Sequence, residues 1–123
     1  MRQVVLLYAA IVAVTSFNAH AYDGPPWYRV KADSAQIERA KSIVSRDLKD
    51  PSSAQFRDMY ATSRGMGDDM VCGEVNAKNS YGGYVGFRKF YVAHDGEYRI
   101  ANPEDSLPFL PSILCDKPEK PLN

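Results

Sequence analysis

The chain has 123 residues and carries 15 lysines and arginines against 15 aspartates and glutamates, so its formal net charge is zero. This balance excludes the basic footprint of a nucleic-acid-binding protein and the polybasic surface of a membrane-binding one. The length fits one domain, which can bury a core with little surplus stability.

The N-terminal stretch has the three parts of a secretory signal peptide. Arg2 stands at the start, an apolar run covers residues 4–14, and an A-x-A cleavage site ends at Ala21. The run is shorter than the roughly 20 residues of a transmembrane helix, which favours cleavage over an uncleaved anchor. We therefore predict a periplasmic or secreted protein with no stable membrane anchor once residues 1–21 are removed.

Two cysteines, Cys72 and Cys115, lie in the exported part of the chain. An even count in an oxidising compartment favours a disulfide, and two cysteines allow only one intramolecular pairing. In the chain-entropy model the closed loop of about 43 residues contributes roughly 3–4 kcal/mol. Two free thiols or an intermolecular bridge are the alternatives.

The first predicted element is a capped helix, preceded by an extended start at Pro25 and Pro26. Asp33 and Gln36 have the spacing of a capping box. The apolar stripe that follows has helical spacing and consists of Ile37, Ala40, Val44 and Leu48. Because Pro51 cannot continue a helix, the helix is predicted to end near Asp50.

Four strands are expected after the helix. The first covers residues 54–62, with an irregularity near Met59, where strict alternation breaks. Aromatic and β-branched residues predict further strands at residues 70–77, 84–93 and 97–101. An Asp95-Gly96 turn joins the last two as a hairpin.

Together these elements predict one α+β domain over residues 22–116. It would consist of one N-terminal helix packed on a small antiparallel meander sheet of about four strands. The proline-rich segment that follows is too apolar to dangle, so part of it is expected to pack on the body as a disulfide-stapled C-terminal tail. Residues 117–123 are predicted to form a flexible end.

Catalytic groups are few in the exported part of the sequence. His94 is its one histidine and stands beside a tight turn, and there is no G-x-S-x-G nucleophile motif. A zinc site would need three or four ligands at set spacing. The sequence therefore predicts no catalytic residue, no metal and no cofactor.

The segment of residues 71–90, VCGEVNAKNSYGGYVGFRKF, is the candidate site. As a plain hairpin it needs special turn residues: Gly82 and Gly83 permit positive φ, and Asn76 and Asn79 can bond their own backbone. The alternative is a polar-aromatic binding lip, since tyrosine and asparagine are adaptable contacts of recognition surfaces. The predicted binding residues are Glu74, Asn76, Lys78, Asn79, Tyr81, Tyr84 and Arg88.

Glu74 is the residue that a simple hairpin explains least. It stands in mid-strand on the side of Cys72, where a covered carboxylate would need a cationic partner. Lys78, Arg88 and Lys89 are the candidates, and a cross-strand pair with Arg88 is geometrically reasonable.

Two segments carry a recognisable pattern, LKDPSSAQFRDM at residues 48–59 and the candidate segment at residues 71–90. They resemble an uncharacterised family of short exported bacterial and prophage-encoded proteins with K-D-P-x-S-A-x-F-R followed by C-G-x-V-N-A-K-N-x-x-G-G-Y-x-G-F. The resemblance covers residues 48 to about 91 and implies export from a Gram-negative cell. It implies no activity, cofactor or catalytic residue.

The leading hypothesis is a small periplasmic, non-enzymatic binding protein. An inhibitor, immunity or phage-exclusion factor that acts on an envelope or periplasmic protein fits the size, the export signal and the staple. The second hypothesis is a structural accessory subunit whose apolar tail packs into a neighbour in an envelope assembly. A small hydrolase is the third.

Overall fold

The computed structural model describes residues 24–122, so the predicted signal peptide and its cleavage site lie outside the described residues. The strands in this range are β1 (Tyr28–Val30), β2 (Gln55–Ser63), β3 (Met70–Asn76), β4 (Arg88–Val92) and β5 (Tyr98–Ile100). The helices are α1 (Ser34–Ser45) and α2 (Leu110–Cys115), and a 3-10 turn covers Pro51–Ser53. The strands form one antiparallel sheet in chain order.

The predicted α+β class is confirmed, but the sheet has five strands rather than four and the helix is not the first element. The additional strand, β1, precedes α1 and pairs with the end of β2, where Tyr28 lies opposite Ser63 and Val30 opposite Ala61. Three residues are too few to show the alternation that marks a strand in a sequence. Pairing with a distant segment makes this stretch a strand.

Helix α1 begins where the sequence predicts and ends earlier. Asp33 Oδ1 accepts a hydrogen bond from Gln36 N at 2.8 Å, and Gln36 Oε1 accepts one from Asp33 N at 2.9 Å, which is the predicted capping box. The helix ends at Ser45, not near Asp50. Leu48 N donates a hydrogen bond to Ser45 O at 3.2 Å. Because this bond joins residues three apart, where a helix would join residues four apart, the chain tightens into a turn there.

The main core lies between α1 and one face of the sheet. Val44 of the helix and Phe90 of β4 are fully buried there, with Val71, Val75 and Val92 around them. The exposed polar side of α1 faces away from this contact. Burying each such apolar side chain contributes about 1.5–3 kcal/mol, so this layer holds the helix on the sheet.

A bulge in β2 keeps that face apolar. Phe56 lies opposite Val75 and Ala61 opposite Val71, so five steps along β2 match four along β3. The extra residue falls between Arg57 and Tyr60, where Asp58 has a φ of 53°. The irregularity predicted near Met59 is therefore confirmed. It is the bulge that returns Phe56 and Ala61 to the same side.

The opposite face carries the predicted disulfide. Cys72 and Cys115 are bonded, with their Cα atoms 5.9 Å apart, and both are buried with Tyr91. Leu110 and Leu114 pack against this cluster and bring α2 onto the sheet. We refer to this side of the sheet as the disulfide face.

The last described residues run beside β1. Arg29 N donates to Pro118 O at 2.7 Å, and Lys120 N donates to Arg29 O at 3.4 Å. These bonds cover the outer edge of the sheet at its first strand, which limits pairing with other chains. The flexible end proposed for residues 117–123 stays a prediction.

Candidate functional site

The loop between β3 and β4 covers residues 77–87, and its segment of residues 77–86, called the 77–86 loop below, contains most of the predicted binding residues. Strand β4 begins at Arg88 rather than at Tyr84, so this loop is longer than the predicted connection. Lys78 and Tyr84 form an isolated bridge across it, and Asn79 N donates to Gly83 O at 2.9 Å at its tip. The loop is thus a small, closed structure of its own.

Two asparagine side chains set the shape of the 77–86 loop. Asn79 Oδ1 accepts hydrogen bonds from Tyr81 N at 2.9 Å and from Gly83 N at 3.1 Å. Asn76 Oδ1 accepts one from Gly86 N at 3.0 Å. Both side-chain oxygens satisfy backbone donors, as in Asx turns, so the turn interpretation explains these two residues.

The glycine prediction for the loop is half right. Gly82 has the expected positive φ, 80°, but Gly83 does not, and Gly86 adopts 95° instead. The reason is the second turn at the end of the loop, where Val85 N and Gly86 N bond back to Ala77 and Asn76. That turn also separates the loop from the paired residues of β3 and β4.

The 77–86 loop is anchored on the 3-10 turn of residues 51–53. Ser53 Oγ accepts a hydrogen bond from Lys78 N at 2.9 Å and donates one to Asp50 O at 2.7 Å. The Tyr84 hydroxyl donates to Ser53 O at 3.2 Å. Ser53 belongs to the first half of the sequence pattern and Tyr84 to the second, so the two halves meet here.

Three large side chains of the loop are exposed to solvent. Tyr81 is 97% exposed, and Tyr84 and Val85 are 46% and 48% exposed. The Lys78 ammonium lies 5.6 Å from the centre of the Tyr84 ring, within cation-π range. No hydrogen bond or ring contact to another described residue holds the Tyr81 side chain. The loop therefore displays aromatic surface on a fixed backbone.

Glu74 and Arg88 do not join the loop, and the predicted pair between them is wrong. Arg88 lies opposite Val75, on the helix side of the sheet, whereas Glu74 lies opposite Lys89 on the disulfide face. Glu74 Oε2 accepts a hydrogen bond from Arg57 Nε at 2.7 Å, across β2 and β3. A shift of one residue in strand register exchanges the two faces, so the register of β3 and β4 puts Arg88 on the face opposite to Glu74.

Two further surfaces are visible in the structure. One is an apolar patch on the C-terminal segment, where Leu107, Phe109 and Ile113 are more than half exposed. Part of this segment is expected from the sequence to pack on the body, and Leu110 and Leu114 do so. The second is a polar cavity on the disulfide face, formed by residues distant in sequence. The clustering of apolar residues at 107–114 was a visible signal for the first; the second had none.

Ionisable groups around the fold have ordinary structural roles. Burial raises the pKa of Tyr60 and of Tyr91. A side-chain hydrogen bond from Arg64 lowers the pKa of Asp68, a carboxylate in the loop between β2 and β3. These shifts follow from desolvation and from an adjacent opposite charge.

Within residues 24–122, no three His, Cys, Asp or Glu side chains are placed to hold a metal ion. The same range contains no helix long and apolar enough to cross a membrane. Comparison with protein-family models, with curated proteins and with solved structures finds no match for this chain. The function must therefore be argued from the geometry.

Proposed function

We propose that this protein is an exported, non-enzymatic binding module that acts on a periplasmic or envelope protein. An inhibitor, immunity or phage-exclusion factor is the role that we favour. The observation that carries the proposal is the 77–86 loop, on which Tyr81 is 97% exposed while Asn79 Oδ1 holds the backbone amides of Tyr81 and Gly83. The Tyr81 side chain makes no hydrogen bond or ring contact with another described residue, so the fold gains no such contact from it.

The loop has the properties that lower the cost of binding. Its backbone is fixed by Asn76, Asn79 and Ser53, so little loop entropy remains to be lost on association. Tyrosine presents a large amphipathic surface with few rotatable bonds, which is why it is frequent in binding surfaces. Tyr81, Tyr84 and Val85 together would supply the apolar centre of a small interface.

The charge of the loop favours a protein partner. Lys78 is the single charged residue between positions 77 and 86, and its ammonium already lies near the Tyr84 ring. A nucleic-acid surface would need several cations to neutralise phosphates. The Cys72–Cys115 disulfide is compatible with an oxidising compartment, which supports a partner outside the cytoplasm.

A capture experiment tests this proposal. The mature chain, immobilised through its C-terminus, is exposed to periplasmic extract, and retained proteins are identified and then titrated as purified partners. Replacing Lys78 and Tyr81 by Ala should leave Tm nearly unchanged, because neither side chain supports the turn. Affinity for the captured partner should fall at least tenfold, the roughly 1.4 kcal/mol or more expected of a binding hot spot.

Met66→Ala is the matched control. Met66 is 59% exposed in the loop between β2 and β3, which lies at the other end of the sheet. This variant should bind like the wild type. If the Lys78/Tyr81 variant also binds like the wild type, the loop is only a hairpin turn and the proposal fails.

The accessory-subunit role has one observation in its favour, the exposed apolar patch of Leu107, Phe109 and Ile113. Phe109 and Ile113 are one helical turn apart and are joined by a backbone bond of 3.0 Å, so they form one ridge. Replacing both by Ser should abolish assembly if the tail packs into a neighbour. Loss of partner binding in this variant alone, with full binding by the Lys78/Tyr81 variant, would favour that role.

A further inference from the structure

A polar cavity of about 220 Å³ lies on the disulfide face, away from the 77–86 loop. Its walls come from four strands and from the segment that the disulfide holds in place. The charged and aromatic side chains that line it are Arg29, Asp58, Tyr60, Glu74, Lys89 and Asp116. Cations and carboxylates therefore share one small space.

Arg29 supplies an unused cationic group at this cavity. The central carbon of its guanidinium lies 3.8 Å from the centre of the Tyr60 ring. Arg29 forms no ion pair with any residue in the range 24–122. The ring contact uses no carboxylate, so the N–H donors of the guanidinium are available to match the two oxygens of one.

Glu74 supplies an anionic group that is partly buried. Its side chain is 23% exposed, and only Oε2 is bonded, to Arg57. Among the described residues nothing donates to Oε1. Oε1 therefore keeps spare acceptor capacity on the wall of the cavity. Asp58, at the bulge beside it, adds a second carboxylate to the same wall; its side chain is 70% exposed, and its Oδ2 lies 3.8 Å from Arg57 Nε.

The remaining charges are already paired and hold the walls. Lys89 Nζ lies 3.3 Å from Asp116 Oδ1, which links β4 to the segment after α2. The Tyr60 hydroxyl donates to Cys115 O at 3.0 Å. Since the disulfide fixes Cys115 against β3, the cavity depends on the intact bridge.

The size of the cavity limits what can enter. Its volume is about 220 Å³. Drug-sized ligands occupy clefts of about 300–1,000 Å³. An α-amino acid with a small side chain has the right size and carries one carboxylate and one ammonium group.

We propose that this cavity binds a small α-amino-acid zwitterion. The carboxylate binds the free N–H edge of Arg29, and the ammonium group donates to Glu74 and Asp58. This site is independent of the proposed partner contact through the 77–86 loop, and each can fail without the other.

Three isosteric probes separate the two charges. The oxidised mature chain, labelled with 15N, is titrated with L-alanine, with L-lactate, which lacks the ammonium group, and with L-alaninamide, which lacks the carboxylate. L-alanine should shift the amides of residues 29, 58–60, 74 and 116 along one saturable curve. Each analogue should bind about tenfold or more weakly, because each loses one charge-assisted hydrogen-bonded contact.

Matched variants locate the carboxylate contact. Arg29→Gln should weaken L-alanine binding about tenfold or more. Lys31→Gln removes the same charge from the same segment without touching the cavity walls, and it should bind like the wild type. If Arg29→Gln shows a lower Tm, Arg29→Lys keeps the charge but not the planar fork and should still bind more weakly.

Reduction of the disulfide gives an independent readout, since it should abolish the saturable shifts. The absence of saturable shifts with L-alanine at millimolar concentration in the oxidised chain would overturn the assignment. Equal binding of L-lactate would also overturn it, because the site would then be an anion site. The Tyr81→Ala variant should retain L-alanine binding, which keeps this test separate from that of the partner contact.

Discussion

The replacement of Gly73 by alanine should destabilise this protein more than the addition of one methyl group suggests. Gly73 lies in the middle of β3 and faces the core between α1 and the sheet, opposite Phe90. A Cβ atom there would lie 2.9 Å from Met59 Cγ and 3.0 and 3.1 Å from the Phe90 ring atoms Cζ and Cε1. Carbon atoms need about 3.5–4.0 Å, so something must move.

The Phe90 ring has little freedom to move away from an added methyl group. It is 0% exposed, and Phe56 packs against it edge to face with ring centres 5.8 Å apart. Met59 is flexible and can yield, but the ring is held by Val44 and its neighbours in the core. Inserting a methyl group into such a packed site costs typically about 1–3 kcal/mol. We expect Gly73→Ala to lower the free energy of unfolding by about 2 kcal/mol, in the middle of that range.

Two other glycines of the chain provide matched controls. Gly83 has ordinary backbone, and an added Cβ would meet nothing closer than 3.8 Å, so Gly83→Ala should be neutral or slightly stabilising. Gly82 has open space but a φ of 80°, so Gly82→Ala should cost about 1 kcal/mol through backbone strain alone.

Urea denaturation of the oxidised chain, followed by circular dichroism, measures all three variants against the wild type. Comparison is direct if the m-values agree, because the transition is then the same in each. A Gly73→Ala variant within about 0.5 kcal/mol of the wild type, the ordinary range of a surface change, would refute the packing argument. A loss as large for Gly83→Ala would refute it as well.

Three further outcomes are expected. Val44→Ala, at a fully buried position, should lower the free energy of unfolding by about 2 kcal/mol. Lys41→Ala should leave the urea midpoint nearly unchanged. Equal shifts of the urea midpoint in the two variants would mean that the buried face of α1 is wrongly assigned. Ser53→Ala removes the acceptor for Lys78 N of the 77–86 loop. The amides of that loop should therefore exchange faster with deuterium, while the exchange of the β3 amides should not change. Unchanged exchange in the loop would show that its structure does not depend on Ser53. Arg64 lowers the pKa of Asp68 in the folded protein. The stability that this pair contributes should therefore be present above about pH 4, the ordinary carboxyl pKa. It should be lost as the pH falls through the lowered pKa of Asp68 in the folded state. The difference in urea midpoint between the wild type and Arg64→Gln should therefore shrink as the pH falls, leaving what the contact of Arg64 with the Trp27 ring contributes. A difference that does not change with pH would count against the pairing.

The sequence alone determined the elements whose signals are local. The capping box of Asp33 and Gln36 involves residues three apart, so its spacing could be recognised before any fold was known. Alternation along β3 also places Glu74 on the side of Cys72, as the structure does. The disulfide was predictable because two cysteines allow a single intramolecular bond.

Long-range pairing decided the rest. Strand β1 has no pattern of its own and exists through its register with β2. Glu74 pairs with Arg57 instead of Arg88 because the register between β3 and β4 places Lys89, not Arg88, on its side. A shift of one residue reverses a strand's faces, and no local pattern sets that shift.

The candidate sites divide in the same way. The turn chemistry of the 77–86 loop was visible in its asparagines and glycines, since such residues bond their own neighbours. The anchor on Ser53 and the exposure of Tyr81 were not, because both depend on which surfaces the folded sheet leaves open. The cavity between Arg29 and Glu74 is formed by residues from distant parts of the chain. Only the antiparallel pairing of β1, β2 and β3 and the disulfide bring its walls together.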